Sequence, residues 1–388
     1  MIYKLSDIFD LQMGKTPTRS DLSYWQNGSY DWISISDLNT DRKYISDTKE
    51  RITTKAVRES GIKKIPANTV IMSFKLSIGK TAITSHDMFS NEAIMAFIDR
   101  KVIRINPDYI YYLLHALDWN KRANKAVKGR TVNKKIISQT QVNIPDYQTQ
   151  LRIVKIMDST RKRVKIQKDI LSKLDTLIKA RFVEMFGDPA NPINIWDPEK
   201  LGKICILNPK KEKKLENDDL DVSFVPMSAV SENGAINTTK VKKYSEVKKG
   251  FTYFLENDVL FAKITPCMEN GKGAVAIGLK NKKGFGSTEF HVLRPIKGKS
   301  NPYWLYTLTS FQSFRKLAEL NMTGSAGQKR VPIKFLQNYK VVVPPISLQN
   351  EFANFVQQVD KSKFENIVYL NKTLSSKILS QIGDAIRD

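Results

Sequence analysis

The chain has 388 residues, 41% of them hydrophobic, and its 63 Lys and Arg outnumber 39 Asp and Glu to leave a formal charge of +24. That length suits two domains or more, and that charge asks for a polyanionic partner, nucleic acid first and an anionic membrane surface second. Cys205 and Cys267 are too few for a disulfide framework, no CxxC or paired-His spacing suggests zinc, and no apolar run approaches the roughly 18 residues of a membrane span.

In chain order, Met1-Ile2-Tyr3-Lys4 opens on mixed polar sequence, so no signal peptide is expected and the protein is expected to be soluble and cytoplasmic. Short strands are predicted at Asp31 to Ile35, Thr69 to Phe74, Thr81 to Thr84 and Ile94 to Ile98. Asn106-Pro107 then starts a helix, with a side-chain acceptor at the cap and no surplus donor at the first position. After Pro145-Asp146 the period changes. Ile153, Met157, Val164, Leu171, Leu174, Ile178 and Met185 recur at spacings of three, four or seven, widened by Ile156, Ile170, Leu177 and Phe182. Gln150, Thr160, Gln167 and Arg181 interrupt that seam. The pattern predicts one long helix with a coiled-coil face from about Gln148 to Phe186, stopped by Gly187-Asp188-Pro189.

The second half repeats the plan. Strands are predicted at Val222 to Pro226, Asp258 to Ala262, Ala274 to Ile277 and Phe290 to Leu293, and a helix starts at Asn301-Pro302. After Pro344-Pro345 a second apolar stripe runs through Phe352, Val356, Val359, Ile367, Leu370, Leu374, Ile378 and Ile382. Shifted by half its length, the chain matches itself. Asn106-Pro107, Tyr111, Leu113, Lys121, Ala123, Gly129 and Lys134 fall on Asn301-Pro302, Tyr306, Leu308, Lys316, Ala318, Gly324 and Lys329. With small gaps, Lys4-Leu5 answers Lys200-Leu201, Gly79-Lys80 answers Gly271-Lys272, Glu92 answers Glu289, and Gln150 answers Gln349. Such matched order argues against coincidence.

The expected fold is therefore α+β: two tandem mixed α/β domains separated by a pair of long antiparallel coiled-coil helices, with a pseudo-two-fold internal repeat. The predicted boundaries are 1–146 and 188–345 for the globular domains, and 147–187 and 346–388 for the helices. Two basic heads on a rigid spacer would read two separated patches of a duplex.

Longer phrases carry a resemblance. Asp258 to Lys272 (DVLFAKITPCMENGK), Gly286 to Pro295 (GSTEFHVLRP), Gly324 to Pro332 (GSAGQKRVP) and Val343 to Gln349 (VPPISLQ) resemble a type I restriction–modification specificity subunit, and the likeness runs the whole chain in order. The first half departs more, with one proline at Ile144-Pro145-Asp146 and a looser match at Phe74 to Lys80. The resemblance implies target-recognition domains that each read half of a bipartite double-stranded DNA site. It implies helices that space the halves and bind two methyltransferase subunits, and restriction subunits in the full complex. It implies no catalysis by this chain: S-adenosylmethionine, ATP and magnesium would belong to the partners.

Candidate DNA contacts cluster at repeat-matched places. Arg130, Thr131, Asn133, Lys134 and Lys135 follow Gly129; Ser325, Gln328, Lys329 and Arg330 follow Gly324. Cations would neutralise phosphates, Asn or Gln could pair with adenine, and Arg with guanine. Lys75, Ser77 and Lys80 in the first half, and Lys263, Glu269, Asn270 and Lys272 in the second, form a second matched set. Glu269 could accept from a cytosine amino group. A hairpin turn ending in Asn-Gly explains the last set equally well. The run Arg161-Lys162-Arg163-Val164-Lys165 reads first as a solvated helix face and second as a contact to bridging DNA.

Other motifs resolve to structure. Gly14-Lys15-Thr16 and Gly79-Lys80-Thr81 lack the first glycine of a phosphate-binding loop, with Phe9 and Phe74 standing there. Asn301-Pro302-Tyr303-Trp304 imitates an amino-methyltransferase motif with one proline too few and no glycine-rich cofactor loop. His86, His115 and His291 are scattered, and structural roles are expected. A self-contained nuclease or methyltransferase and an RNA-binding scaffold are the competing readings; the first needs an acid cluster or cofactor loop that the sequence lacks.

Overall fold

The computed structural model describes residues 1–39, 42–75, 77–119, 124–126, 129–193, 195–211, 217–325 and 327–375. Two compact units emerge: Met1–Ile166 with the described residues from Tyr369 onward, and Gln167–Val368.

In the first unit a five-stranded sheet runs in the spatial order Phe9–Met13, Ile94–Asp99, Val70–Ser73, Thr81–Thr84, Tyr44–Ile45. Neighbours are antiparallel except the last pair, which is parallel. A small second sheet sets Tyr30–Ile33 between Glu50–Ile52 and Phe89–Ser90, parallel to the latter. The central strands Val70–Ser73 and Thr81–Thr84 are buried at every position, so they read as short apolar runs rather than alternating ones. The helix Pro107–Ala116 begins as expected, with Asn106 Oδ1 accepting from Tyr109 N. It closes the core around Tyr109, Ile110, Leu113 and Leu114.

The second unit repeats this topology. Cys205–Leu207, Phe290–Pro295, Val259–Ala262 and Gly273–Val275 form the central sheet, and Asp221–Val225 lies parallel to Lys283–Gly286 in the second. Each globule is also closed by its own ends: Ile2–Lys4 pairs with Gln141–Asn143, and Pro198–Lys200 with Lys340–Val342. The four core strands of the central sheet recur in both units, whereas Tyr44–Ile45 extends that sheet only in the first and Thr252–Leu255 extends the smaller sheet only in the second; the fold is the mixed α/β tandem with long helices read from the sequence. One helix per half was expected; Lys134–Gln139, Gln312–Leu320 and Ile333–Asn338 are additional. They are too short for periodicity to announce them.

The first long helix spans Tyr147–Phe186. Asp146 caps it, accepting from Thr149 N at 2.9 Å, and Gly187 ends it at φ +81°. The second spans Ile346–Ser375, and the predicted stripe residues Ile378 and Ile382 lie outside the described residues. Within the second unit the two helices run antiparallel: Phe182 packs on Phe352, Arg181 pairs with Glu351 at 3.1 Å, and Asp175 with Lys363 at 2.8 Å. Phe182 is 2% exposed and carries this seam, whereas Leu177 and Ile367 are exposed and do not. In the first unit, Lys43 binds both Asp108 and Asp158 at 2.7 Å, and the Tyr112 hydroxyl also donates to Asp158, fastening the long helix to its globule. Gln150, an interruption of the seam in sequence, is buried, and its amide donates to the Arg104 and Pro145 carbonyls at 3.2 and 3.0 Å.

Candidate nucleic-acid interface

Three loops of the second unit converge. Strand Val259–Ala262 runs into the turn that begins at Lys263. The Lys263 N–H donates to Glu289 O and its carbonyl accepts from Val331 N, both at 2.9 Å; Thr265 N donates to Lys329 O at 3.0 Å. Arg330 bridges Ile264 on one side and Thr323 on the other. Residues 263–272, 287–291, 323–325 and 327–331 are thus stitched into one surface by main-chain hydrogen bonds. Gly324 sits at φ +122°, where a Cβ would lie 2.9 Å from Gln328 O, so the turn needs glycine.

Arg330 braces this surface. Its Nε and one terminal nitrogen donate to the two Glu289 carboxylate oxygens at 2.9 Å each, and the other terminal nitrogen donates to Gln328 O at 3.0 Å. The arginine hydrogen bonds hold the Glu289 carboxyl below its ordinary range. The fork expected to face guanine is therefore turned onto Glu289, a planar bidentate match that needs no ligand. By contrast, the side chains of Ser325, Gln328 and Lys329 are exposed and make no hydrogen bond among the described residues. They are the groups left available to a partner.

In the neighbouring turn, Glu269 Oε1 accepts from Thr265 Oγ1 at 2.9 Å, while Oε2 is buried without a hydrogen-bond partner among the described residues. Asn270 is exposed, and Lys272 reaches Met227 O at 3.5 Å. The segment is the connection between Val259–Ala262 and Gly273–Val275, and its main chain belongs to the converged surface.

In the first unit Lys75, Ser77 and Lys80 lie on the connection between Val70–Ser73 and Thr81–Thr84. Ser73 N donates to Lys80 O at 2.9 Å, Ser73 Oγ donates to Ser77 O, and Lys75 is exposed with its ammonium 5.5 Å from the Phe74 ring centre. Glu92 accepts from the Thr16 hydroxyl, and among the described residues no arginine braces it as Arg330 braces Glu289. Arg130 and Thr131 belong to strand Gly129–Thr131, which pairs with Asn124–Ala126; their side chains lie outside the described residues. The loop expected through Lys135 ends earlier. Asn133 Oδ1 accepts from Ile136 N at 2.9 Å and caps the helix Lys134–Gln139, so its carbonyl oxygen is committed to the helix rather than free for adenine. Lys134 and Lys135 are exposed on the first turn of that helix.

The histidines have structural partners. His86 Nε2 faces the nearly buried Asp31 carboxylate at 2.9 Å, His115 meets Thr81, and His291 donates from Nε2 to Val331 O at 2.8 Å. Of the basic helical run, Arg161 donates to the Tyr111 hydroxyl at 2.8 Å, while Lys162, Arg163 and Lys165 are exposed. Sequence reasoning missed the role of Glu289, although it stands inside the phrase Gly286 to Pro295 and answers Glu92 in the repeat.

Residues 1–176 and 194–375 each match the type I restriction modification DNA specificity domain. The chain is 38% identical over 208 residues to the type I restriction enzyme EcoEI specificity subunit of Escherichia coli, covering 52% of this chain and 34% of that protein. It is 37% identical over 234 residues to the EcoAI specificity subunit of the same organism, covering 58% and 39%. These alignments span little more than a third of either relative. The MjaIX specificity subunit of Methanocaldococcus jannaschii aligns over 99% of this chain and 91% of its own length at 22% identity. Among solved structures, a chain from a study of complex assembly and conformational transition of the type I R-M system superposes with a TM-score of 0.59 at 15% identity, covering 98% and 96% of the two chains. The S subunit of a type I restriction–modification system from M. genitalium superposes at 0.52 and 12%, covering 100% and 96%. These two share the fold. With the specificity domain matched twice and its topology repeated in both units, the chain belongs to the type I restriction modification DNA specificity family.

Proposed function

We propose that this chain is the DNA-reading subunit of a type I restriction–modification complex and performs no chemistry itself. Each globular unit reads one half of a bipartite duplex site, and the long helices space the halves and dock methyltransferase subunits, two in number. Restriction subunits join in the full complex. S-adenosylmethionine, ATP and magnesium act in those partners, and the assembly works in the cytoplasm. The observation that carries this reading is the doubled specificity domain at 1–176 and 194–375. The charge of +24 supplies the sequence-independent attraction to phosphate, and the exposed Ser325, Gln328 and Lys329 supply groups for base or backbone contact.

The test is to express the chain with its methyltransferase and map methylated sites across a genome. A motif of two short sequences separated by a fixed unspecified gap is expected. Exchanging residues 1–146 for those of a relative should change one half and leave the other intact. A contiguous motif, or methyl transfer or DNA cleavage by the purified chain alone, would overturn the reading.

A further inference from the structure

The second unit holds a cleft of about 340 Å³ that the repeat does not announce. Its walls come from segments far apart in sequence: Lys210 and Lys211 after strand Cys205–Leu207, Lys248 and Phe251 before strand Thr252–Leu255, Tyr253 within that strand, and Lys263 at the start of the turn described above. Four lysines line it, and no carboxylate does among the described residues. Two of the four are committed. Lys248 Nζ lies 2.7 and 2.9 Å from the Asp218 oxygens, and Lys211 Nζ donates to Lys248 O at 3.1 Å. The Lys210 and Lys263 side chains form no ion pair among the described residues.

Aromatic side chains line the cleft as well. Phe251 is 39% exposed, propped edge-on by Phe224 at 5.0 Å, and Tyr253 leans on Phe285 at 5.4 Å. Rings held against other rings present a face to the cleft at little further entropic cost. Lysines and supported aromatic rings lining one cleft suit a ligand that is anionic at one end and flat or apolar at the other, which describes a nucleotide. Position selects which nucleotide. Lys263 belongs to two surfaces: its main chain ties the turn to Glu289 and Val331, and its side chain lines the cleft.

We propose that the cleft between Lys210, Lys263, Phe251 and Tyr253 is a DNA backbone subsite, taking the phosphodiester that flanks the half-site read by the second unit. This rests on the specificity reading above and adds to it a place for phosphate. Lys210 and Lys263 neutralise phosphate oxygens, and Phe251 and Tyr253 pack on the adjoining sugar. Contacts of this kind set register and affinity and carry no base information.

The experiment measures binding of a duplex carrying the cognate site to the complex of this chain with its methyltransferase, across 50–200 mM salt. Each lost phosphate contact lowers the slope of log K against log salt by about 0.9, so Lys210→Ala with Lys263→Ala should lower it by about two. The methylated motif should not change. Lys280→Ala, exposed and outside the cleft, sets the baseline for loss of one charge. Phe251→Ala should weaken binding with the slope preserved. A slope for the double variant equal to the Lys280→Ala baseline, or an altered motif, would overturn the proposal. So would saturable dAMP binding that the double variant loses while its DNA slope stays intact, which would assign the cleft to free nucleotide. A wild-type complex that methylates a two-part motif secures the specificity reading whatever the variants do; a wild-type complex that recognises no such motif sinks that reading instead.

Discussion

Gln349 Oε1 accepts the backbone N–H of Asn301 at 2.9 Å, joining the first turn of the C-terminal long helix to the cap of the helix Pro302–Ser310. The Gln349 amide also donates to Lys299 O at 3.1 Å and Pro344 O at 2.8 Å, and the side chain is fully buried. Gln150 does the same for Asn106, at 2.9 Å. One glutamine in each copy thus satisfies three main-chain groups where globule and helix meet.

Gln349→Ala should therefore destabilise the second unit by about 1–3 kcal/mol, because it strands buried polar groups rather than merely deleting a bond. Urea unfolding measures this. Gln349→Glu keeps the acceptor and loses the two amide donations, so it should also be destabilising. Wild-type stability in both variants would show the latch to be dispensable.

Arg330 and Glu289 should act as one unit. Arg330→Ala and Glu289→Gln should each weaken specific DNA binding, and the double variant should be little worse than either alone. A coupling of about 0.5–3 kcal/mol is expected in the double-mutant cycle. Additive losses would mean that Arg330 contacts DNA independently of its brace.

The buried His291 is held neutral. Burial depresses its pKa, the nearby Lys263 charge adds to this, and the hydrogen bond to Val331 O and the Glu289 carboxylate oppose it without prevailing. His115 is depressed in the same direction, by burial and then by Arg161. With folded values below the unfolded value of about 6.5, the stabilisation is complete above that pH and is lost as pH falls through the folded values. Urea midpoints should drop between about pH 7.5 and 5.5, and the drop should shrink in His291→Gln. An unchanged pH dependence in that variant would remove His291 from the account.

The two cysteines should differ as probes. Cys205 is buried, donates to Leu201 O at 3.2 Å, and has its thiol pushed up to about 12 by burial; Cys267 is half-buried in the turn that follows Lys263. Iodoacetamide should modify Cys267 well before Cys205, since the thiolate is the reactive form. Cognate duplex should slow the Cys267 reaction if that turn lies at the interface. Equal rates with and without DNA would place the turn away from it.

The long helices can be tested as a ruler. Four residues inserted after Ser172 add about 6 Å of helix and nearly preserve its phase. At about 3.4 Å per base pair along a strand, the unspecified gap in the methylated motif should grow by one or two base pairs. Two inserted residues would rotate the downstream seam by about 200° and should disrupt the packing of Phe182 on Phe352. An active four-residue variant with an unchanged gap would mean that other elements space the half-sites.

By itself the sequence determined what is local or periodic. The caps at Asn106-Pro107 and Asn301-Pro302, the apolar stripe of Tyr147–Phe186 and its stop at Gly187 depend on neighbours a few residues away, and the doubled order of motifs made the repeat visible. Only the tertiary structure decided which polar side chains remain free. Arg330 is spent on Glu289, a partner 41 positions away. Gln150 looked like a fault in an apolar seam, and Gln349 only like its repeat partner, until the carbonyls they satisfy were placed beside them. The cleft draws lysines from positions 210, 211, 248 and 263, which no period relates. A donor's availability depends on what packing brings within about 3 Å of it, and that is set by how the sheets and helices meet rather than by the residue's own segment.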